Sequence, residues 1–529
     1  MIEERRLLPG RVGLRWMQLI AALFIFVAAA QAERAWAQSG ASAGRSLTRG
    51  EQETAREFES MRGEPLLLVA FLRRMPKGAD LHNHLSGAVY AESYVNWAAQ
   101  SGLCVDRRTL TLSGAPCDEA AGRVAASAAL QDSVLYRRMI DAWSMRNQQY
   151  SGQSGHDQFF DSFGKFGAAT WGRTGEMLAE TTARAASGRL SYMELMLTPD
   201  GGRSSQLGRQ LGWDDDFGRM RQKLLAGGMR DAVAEGRKNL DEAEAKARAV
   251  LKCDTPQADA GCKVAVRYIF QVGRAATREQ VFAQMVAGFE MAAADPRVVA
   301  LNLVQPEDAL TAMRDFSLHM SMLDYLRPLY PKGHITLHAG ELAPGLVPPE
   351  GMRFHIRQSI LKGHAERIGH GVAVMYEDEP FELLEEMRRR NVLVEICLTS
   401  NDTILGIRGK QHPLPIYLKR GVPVTLATDD EGVARSEMTR EYLKAVEEHG
   451  LGYIELKTMA RASLEHAFLA GASLWKDARR FEPTTACSND RPGSGRPASA
   501  NCQQLLRNSE KARLQWELEA AFAEFERSR

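Results

Sequence analysis

The chain is notable first for what it lacks. Charge of one sign is missing: 67 lysines and arginines meet 66 aspartates and glutamates, a formal net charge of +1. Such a surface gives no electrostatic reason to expect nucleic acid or an anionic membrane as partner. Long apolar runs are also missing. The longest, Trp16 to Ala30, is 15 residues, short of the roughly 20 needed to span a bilayer. No internal repeat or long low-complexity tract occurs. Aromatics are sparse at 7%, and no cysteines are spaced with histidines as in a zinc finger. The apolar and charged fractions, 44% and 25%, are those of an ordinary globular protein.

The first 37 residues stand apart. Arg5, Arg6, Arg11 and Arg15 precede the apolar run, and small-x-small sites follow at Ala30-Gln31-Ala32 and Ala35-Trp36-Ala37. This layout predicts a secretory signal peptide, residues 1–37, cleaved after Ala37; a retained signal anchor is the alternative. Cleavage removes five arginines and three glutamates, leaving 62 basic and 63 acidic residues. The expectation is a periplasmic or secreted protein with no stable membrane association. Seven cysteines fit that compartment. Cys104 with Cys117, Cys253 with Cys262 and Cys487 with Cys502 are neighbours in polar, loop-like stretches and suit local disulfides. Cys397, inside an apolar run, reads as a reduced core thiol.

Eight short apolar runs alternate with helical stretches: Ala79–Leu85, Tyr192–Leu197, Val264–Val272, Val298–Val304, Ile335–Ala339, Arg367–Gly371, Val392–Leu398 and Val422–Thr428. Near-continuous apolar strands alternating with helices predict a parallel sheet covered on both faces. Eight is the count of a closed (β/α)8 TIM barrel. We expect an α/β barrel over residues 76–480, with helical insertions after strands one and two. A helical extension over 38–75 precedes it, and 481–529 supply a loop and one amphipathic helix, Leu505–Phe525.

The informative fact is where polar residues fall. His82-Asn83-His84 closes the first run, and residues i and i+2 of a strand share a face. His338 ends the fifth run and His370 the sixth, while Asp429-Asp430 follows the eighth. All lie at C-terminal strand ends, where barrel enzymes carry their chemistry. His82, His84, His338 and Asp429 can converge on one zinc ion. Taken singly, each has a structural reading: a helix cap for the aspartates, a first-turn charge for Glu341, a turn for Gly369-His370-Gly371. The joint arrangement is what argues for a site.

The motifs Met75-Pro76-Lys77-Gly78, Asp80-Leu81-His82-Asn83-His84-Leu85, His338-Ala339-Gly340-Glu341, Arg367-Ile368-Gly369-His370-Gly371, Thr399-Ser400-Asn401 and Thr428-Asp429-Asp430 together resemble the adenosine/AMP deaminase family of metal-dependent amidohydrolases. The resemblance covers roughly residues 70–475. It implies one zinc ion per subunit on His82, His84, His338 and Asp429, with Glu341 protonating the purine ring. It further implies that His370 takes a proton from water and that Asp430 orients the water or the leaving amine. The implied reaction is hydrolytic deamination of adenosine or deoxyadenosine, with a small nucleoside as the partner. Two positions depart from the family pattern. Ser86 stands where an aspartate contacts ribose, and Gln305-Pro306-Glu307 replaces a Gly-x-Glu turn whose glycine meets the purine. Ser86, Gln305 and Asp430 are therefore the candidate substrate-binding residues. Another 6-aminopurine or aminated heterocycle is an alternative substrate, and a binding or signalling protein on a deaminase scaffold is a second reading. A binuclear amidase is disfavoured, since Val298–Val304 contains no lysine.

Overall fold

The computed structural model describes residues 47–528; the expected signal peptide lies outside them. Eight parallel strands form one sheet in sequence order: β1 (Gly78–His84), β2 (Leu190–Leu197), β3 (Ala265–Gly273), β4 (Val298–Val304), β5 (His334–Ala339), β6 (Arg367–His370), β7 (Leu393–Ile396) and β8 (Val424–Leu426). The sheet closes between its ends: Asp429 N–H donates to the His82 carbonyl (2.8 Å), and His84 N–H to the Asp429 carbonyl (3.2 Å). A closed barrel leaves no edge strand unpaired. The expected TIM barrel is what the chain forms, and every one of the eight predicted runs overlaps a strand.

Strand sequence explains strand burial. All seven residues of β1 are buried, although it carries Asp80, His82, Asn83 and His84. A buried polar strand is tolerable when most of its polar groups find partners. Here Asp80 accepts from the Thr428 hydroxyl and Asn83 Nδ2 donates to Thr428 Oγ1 (2.9 Å). Where strands β7 and β8 end earlier than the apolar runs, chain direction changes. Leu398–Leu405 is a helix, so the Thr399-Ser400-Asn401 motif sits on a helical first turn beyond β7.

The insertions differ in part from expectation. Between β1 and β2 the chain is mainly helical, but it also makes a small antiparallel sheet of Cys104–Asp106, Leu112–Ser113 and Arg123–Ala125. These strands are two or three residues long, too short to show periodicity. Between β2 and β3 the charged stretch forms helices Phe217–Leu224 and Arg230–Val250, joined by a wide turn at Leu225–Met229. The C-terminal run is two helices and not one: Ala500–Asn508 and Glu510–Arg527 break at Ser509, whose extended backbone lets its side chain cap Ala512 N–H.

The three disulfides expected from sequence are present, with Cα–Cα distances of 5.4, 5.7 and 4.7 Å. Cys397 is free and buried. Helices Arg49–Ser60 and Glu510–Arg527 meet on helix Tyr453–His466 through buried ion pairs, Lys457 with Glu526 (2.6 Å) and Glu51 (3.0 Å), and Arg461 with Glu519 (2.6 Å). No helix of the described residues is long and apolar enough to cross a membrane.

Candidate metal and active centre

The predicted residues converge at the C-terminal mouth of the barrel. His82 Nε2 lies 3.0 Å from His338 Nε2, and His84 Nε2 lies 3.1 Å from the same atom. Asp429 Oδ1 is 3.5 Å from His82 Nε2 and 3.3 Å from His84 Nε2. Donor atoms of His82, His338, His370 and Asp429 fall within 4.8 Å of one another, as do those of His84, Asp429 and Asp430.

What makes this a candidate metal site is the other side of each ring. His82 Nδ1 meets Glu395 Oε2 (2.6 Å), His84 Nδ1 meets Gln271 Oε1 (2.9 Å), and His338 Nδ1 meets Asn302 Oδ1 (2.9 Å). Each partner atom is an acceptor, so each Nδ1 carries a proton and each Nε2 turns inward; burial keeps His84 and His338 neutral, whereas against the cost of burial the hydrogen bonds with Asp429 and Glu395 raise His82 to about 10. Two bare lone pairs, the His82 nitrogen and a carboxylate then face one another at about 3–3.5 Å, with the His82 proton as the one positive charge among them. That positive charge is what a bound cation would replace, and a nitrogen-rich set with one carboxylate suits zinc.

Ser400 Oγ donates to Asp429 Oδ2 (2.6 Å), fixing the oxygen turned away from the rings. Both His370 and Asp429 hold a left-handed backbone, φ +67° and +57°, at about 1–3 kcal/mol of strain each. Gly369 is required beside them, because a Cβ there would stand 2.5 Å from His82 Cε1.

Glu341 sits opposite the cluster, its Oε1 3.7 Å from His370 Nε2. Its loop is anchored by Glu307, which accepts from Gly340 N–H (3.0 Å) and Glu341 N–H (2.8 Å) and bonds His355 Nδ1. Burial, with the Asp429 charge added, pushes the Glu341 carboxyl up to about 8. Burial and the same neighbour raise Asp430 well above the carboxylate range. Asp430 Oδ1 is buried with no partner in the protein, and so is His370 Nε2.

A relay of fixed polarity reaches His370. Leu414 N–H donates to His412 Nδ1 (3.1 Å), so the His412 proton is on Nε2 and is given to Asn401 Oδ1 (3.1 Å). Asn401 Nδ2 therefore donates to His370 Nδ1 (2.9 Å). Burial pulls the His370 imidazole down to about 3, so it is neutral, and its single proton falls on Nε2, facing the site. A backbone N–H, which cannot turn over, sets the direction of the relay. The proton-acceptor role implied by the family resemblance requires the reverse order along the whole relay.

The two candidate specificity residues fare differently. Ser86 is half-buried in the short helix after β1, and its carbonyl accepts from the Tyr94 hydroxyl (2.6 Å). Gln305 keeps the left-handed backbone of the glycine it replaces, φ +79°. Its carbonyl accepts from Arg274 Nε (2.8 Å) and its Oε1 from Ala275 N–H (3.0 Å). The side chain is thus exposed and spent on its own rim, and the structure does not bring it to the cluster. Residues that sequence reading left without a role are Glu395, Asn302, Gln271, Ser400, Asn401, His412 and Glu307. Their signal is a polar residue inside an apolar strand, as with Asn302 in β4 and Glu395 in β7.

The adenosine deaminase family model matches residues 179–474, more than half of the chain. The chain belongs to the adenosine deaminase family. Among curated relatives, adenosine deaminase of Serratia proteamaculans (strain 568) is 38% identical over 139 residues, 26% of this chain and 38% of that protein. Adenosine deaminase of Escherichia coli (strain SMS-3-5 / SECEC) is 36% identical over 138 residues, again 26% and 38%. The match thus spans well under half the length of these relatives. Of solved structures, the N6-methyl-AMP deaminase of Arabidopsis thaliana superposes with a TM-score of 0.50 at 22% identity, over 76% of this chain and 94% of that one. An amidohydrolase from Burkholderia ambifaria with bound Zn gives 0.50 at 17% identity, over 81% and 91%. At such identities the structural likeness concerns the fold alone.

Proposed function

We propose that the protein is a zinc-dependent aminohydrolase that removes the 6-amino group of adenosine or deoxyadenosine, releasing ammonia. The observation that carries this reading is the set of three Nδ1-anchored imidazoles and Asp429 aimed at one point, facing a carboxylic acid held neutral at pH 7. His82, His84, His338 and Asp429 would hold the metal. When bound, zinc supplies Lewis acidity that lowers the pKa of water to about 7.

The rest of the work falls to the chain. Glu341, protonated at neutral pH because it is buried beside Asp429, donates its proton to a ring nitrogen and makes the adjacent amine-bearing carbon electrophilic. His370 presents Nε2–H and, by donating that hydrogen bond, orients the attacking oxygen and opposes charge built on it. Asp430, kept protonated by burial beside Asp429, gives its proton to the departing amine, which leaves as ammonia; the attacking oxygen returns one of its protons to Asp430 and the other to Glu341. Glu307 holds the backbone of Glu341 so that the acid and the metal cluster keep their separation. The barrel closes the back of the site, since every one of these groups is buried.

Ser86 supports a substrate whose sugar is met by a hydroxyl and not by a carboxylate, and the family match supports adenosine within that class. A panel of adenosine, deoxyadenosine, AMP and adenine, followed by ultraviolet absorbance with zinc-loaded protein, tests the reading. We expect kcat/KM highest for a nucleoside; turnover confined to AMP or adenine would replace the substrate. Export is part of the proposal. The basic-apolar-small layout of residues 1–37 and three disulfides support a periplasmic or secreted site of action. Mass spectrometry of the mature chain, expected to start at Gln38, tests it.

A further inference from the structure

The opposite end of the barrel holds a cavity of about 570 Å3 that the reaction does not use. It opens at the N-terminal ends of β5, β6 and β7, where barrel proteins ordinarily keep stability and not chemistry. Its size falls within the roughly 300–1,000 Å3 of small-molecule sites. Residues Arg327, Arg390, His466 and Lys511 line it, with Glu366 and Glu465.

The hydrogen-bonding capacity left open toward this cavity is donor-rich. Glu366 is bound to His334 Nδ1 (3.0 Å), and Glu465 accepts from Ser473 Oγ (2.6 Å) and Gln515 Nε2 (2.7 Å). Arg390 is paired with Glu386 (2.5 Å). By contrast, Arg327 gives one N–H to the Tyr330 carbonyl (3.2 Å) and Lys511 one to the Glu465 carbonyl (2.8 Å). A guanidinium has five donors and an ammonium three, so most of theirs remain. The His466 ring, between the charges of Lys511 and Arg367, has no hydrogen-bond partner among the described residues. Basic side chains near helix C-termini first answer carbonyl ends; the donors beyond that need are what a ligand would meet.

We propose that this cavity binds a phosphate ester of sugar-phosphate size, its oxyanion held by Lys511, Arg327 and His466. The wall is joined to the metal cluster by a short path. The His466 carbonyl accepts from Arg367 (3.0 Å), Arg367 donates to Glu395 (2.6 Å), and Glu395 holds His82 Nδ1 (2.6 Å). An anion seated on His466 therefore acts three contacts from a metal-binding ring. That second part rests on the metal reading above; the binding site itself does not.

Calorimetry on the full protein with ribose 5-phosphate, inorganic phosphate and ribose decides the binding claim. Saturable binding of ribose 5-phosphate is expected, at least about tenfold tighter than ribose, and weakened about tenfold or more in both Lys511→Met and Arg327→Gln, the loss of a charged hydrogen bond. No saturable heat at millimolar ligand, or unchanged affinity in both variants, overturns the site. Equal affinity for inorganic phosphate overturns the ester. Circular dichroism and thermal midpoints show whether each variant is folded. Release of zinc to a chelator, with and without ribose 5-phosphate, tests the path: a shift of twofold or more that Lys511→Met abolishes is expected, and an unchanged rate with ligand bound removes the coupling alone.

Discussion

Gly87 touches neither metal nor substrate in this account, yet replacing it with alanine should disable the enzyme. A Cβ at position 87 would stand 1.5 Å from Asp430 Oδ1, 2.3 Å from its Cγ and 2.6 Å from its Cβ. Carbon and oxygen need about 3.4 Å, so the carboxylate must move by about 2 Å. The backbone cannot yield instead. The Gly87 carbonyl accepts from Gly432 N–H (2.9 Å) and Val433 N–H (3.0 Å), and Gly432 is itself pressed against the Val89 carbonyl, where a Cβ would stand at 2.2 Å. Displacement of a catalytic group by about 1 Å costs roughly 100-fold, so a fall in kcat of at least about 100-fold is expected for Gly87→Ala. Overpacking should also lower stability by about 1–3 kcal/mol, and zinc content should stay near one per chain because no ligand is touched. Steady-state kinetics, elemental analysis and thermal denaturation measure the three quantities. Full kcat in a folded, zinc-loaded Gly87→Ala variant would show that Asp430 has no place in the reaction.

Three further outcomes follow from named groups. Glu341→Gln keeps the size of the side chain but loses the acidic proton; zinc content should be unchanged and kcat should fall by about 100-fold or more, and a wild-type rate would remove the acid. Gln305→Gly relieves a left-handed backbone, a gain of about 1 kcal/mol offset by the lost Ala275 contact, so stability and KM should change little; a large rise in KM would mean the Gln305 side chain reaches substrate after all. His319 is fully buried with both ring nitrogens unpartnered, and burial pulls its pKa from 6.5 down to about 4. Between those values the unfolded chain binds the extra proton, so stability is full above pH 6.5 and falls as pH drops toward 4, by at most about 3 kcal/mol. In His319→Leu that part of the acid sensitivity should vanish, and an identical pH dependence of the urea midpoint in both proteins would falsify it.

Much of the fold could be read in advance, and the reason is periodicity. β2, β4 and β5 are near-continuous apolar runs, a pattern that parallel strands covered on both faces require. β1 is not apolar, and it was legible through its two histidines spaced for one face. The small sheet at Cys104–Asp106 was illegible because its strands are too short to carry a period. The break at Ser509 was hidden inside an otherwise amphipathic run. At the site, the cluster-facing atoms were legible and their supports were not. Asn302, Glu395 and Gln271 come from three other strands, and register alone decides which ring each meets. The polarity of the His412–Asn401–His370 relay was likewise invisible, since it depends on one backbone N–H at Leu414. Gln305 shows the limit from the other side. The substitution of a glycine was visible, whereas the direction of its side chain was set by Ala275.

The central claim is that the three inward-facing imidazole nitrogens and Asp429 form one zinc site on which turnover depends. Zinc titration of chelator-stripped protein, with adenosine turnover read at each addition, tests it most directly. Activity should rise linearly from near zero and stop at one equivalent per chain. Undiminished activity in metal-free protein, or a break at two equivalents, would contradict it.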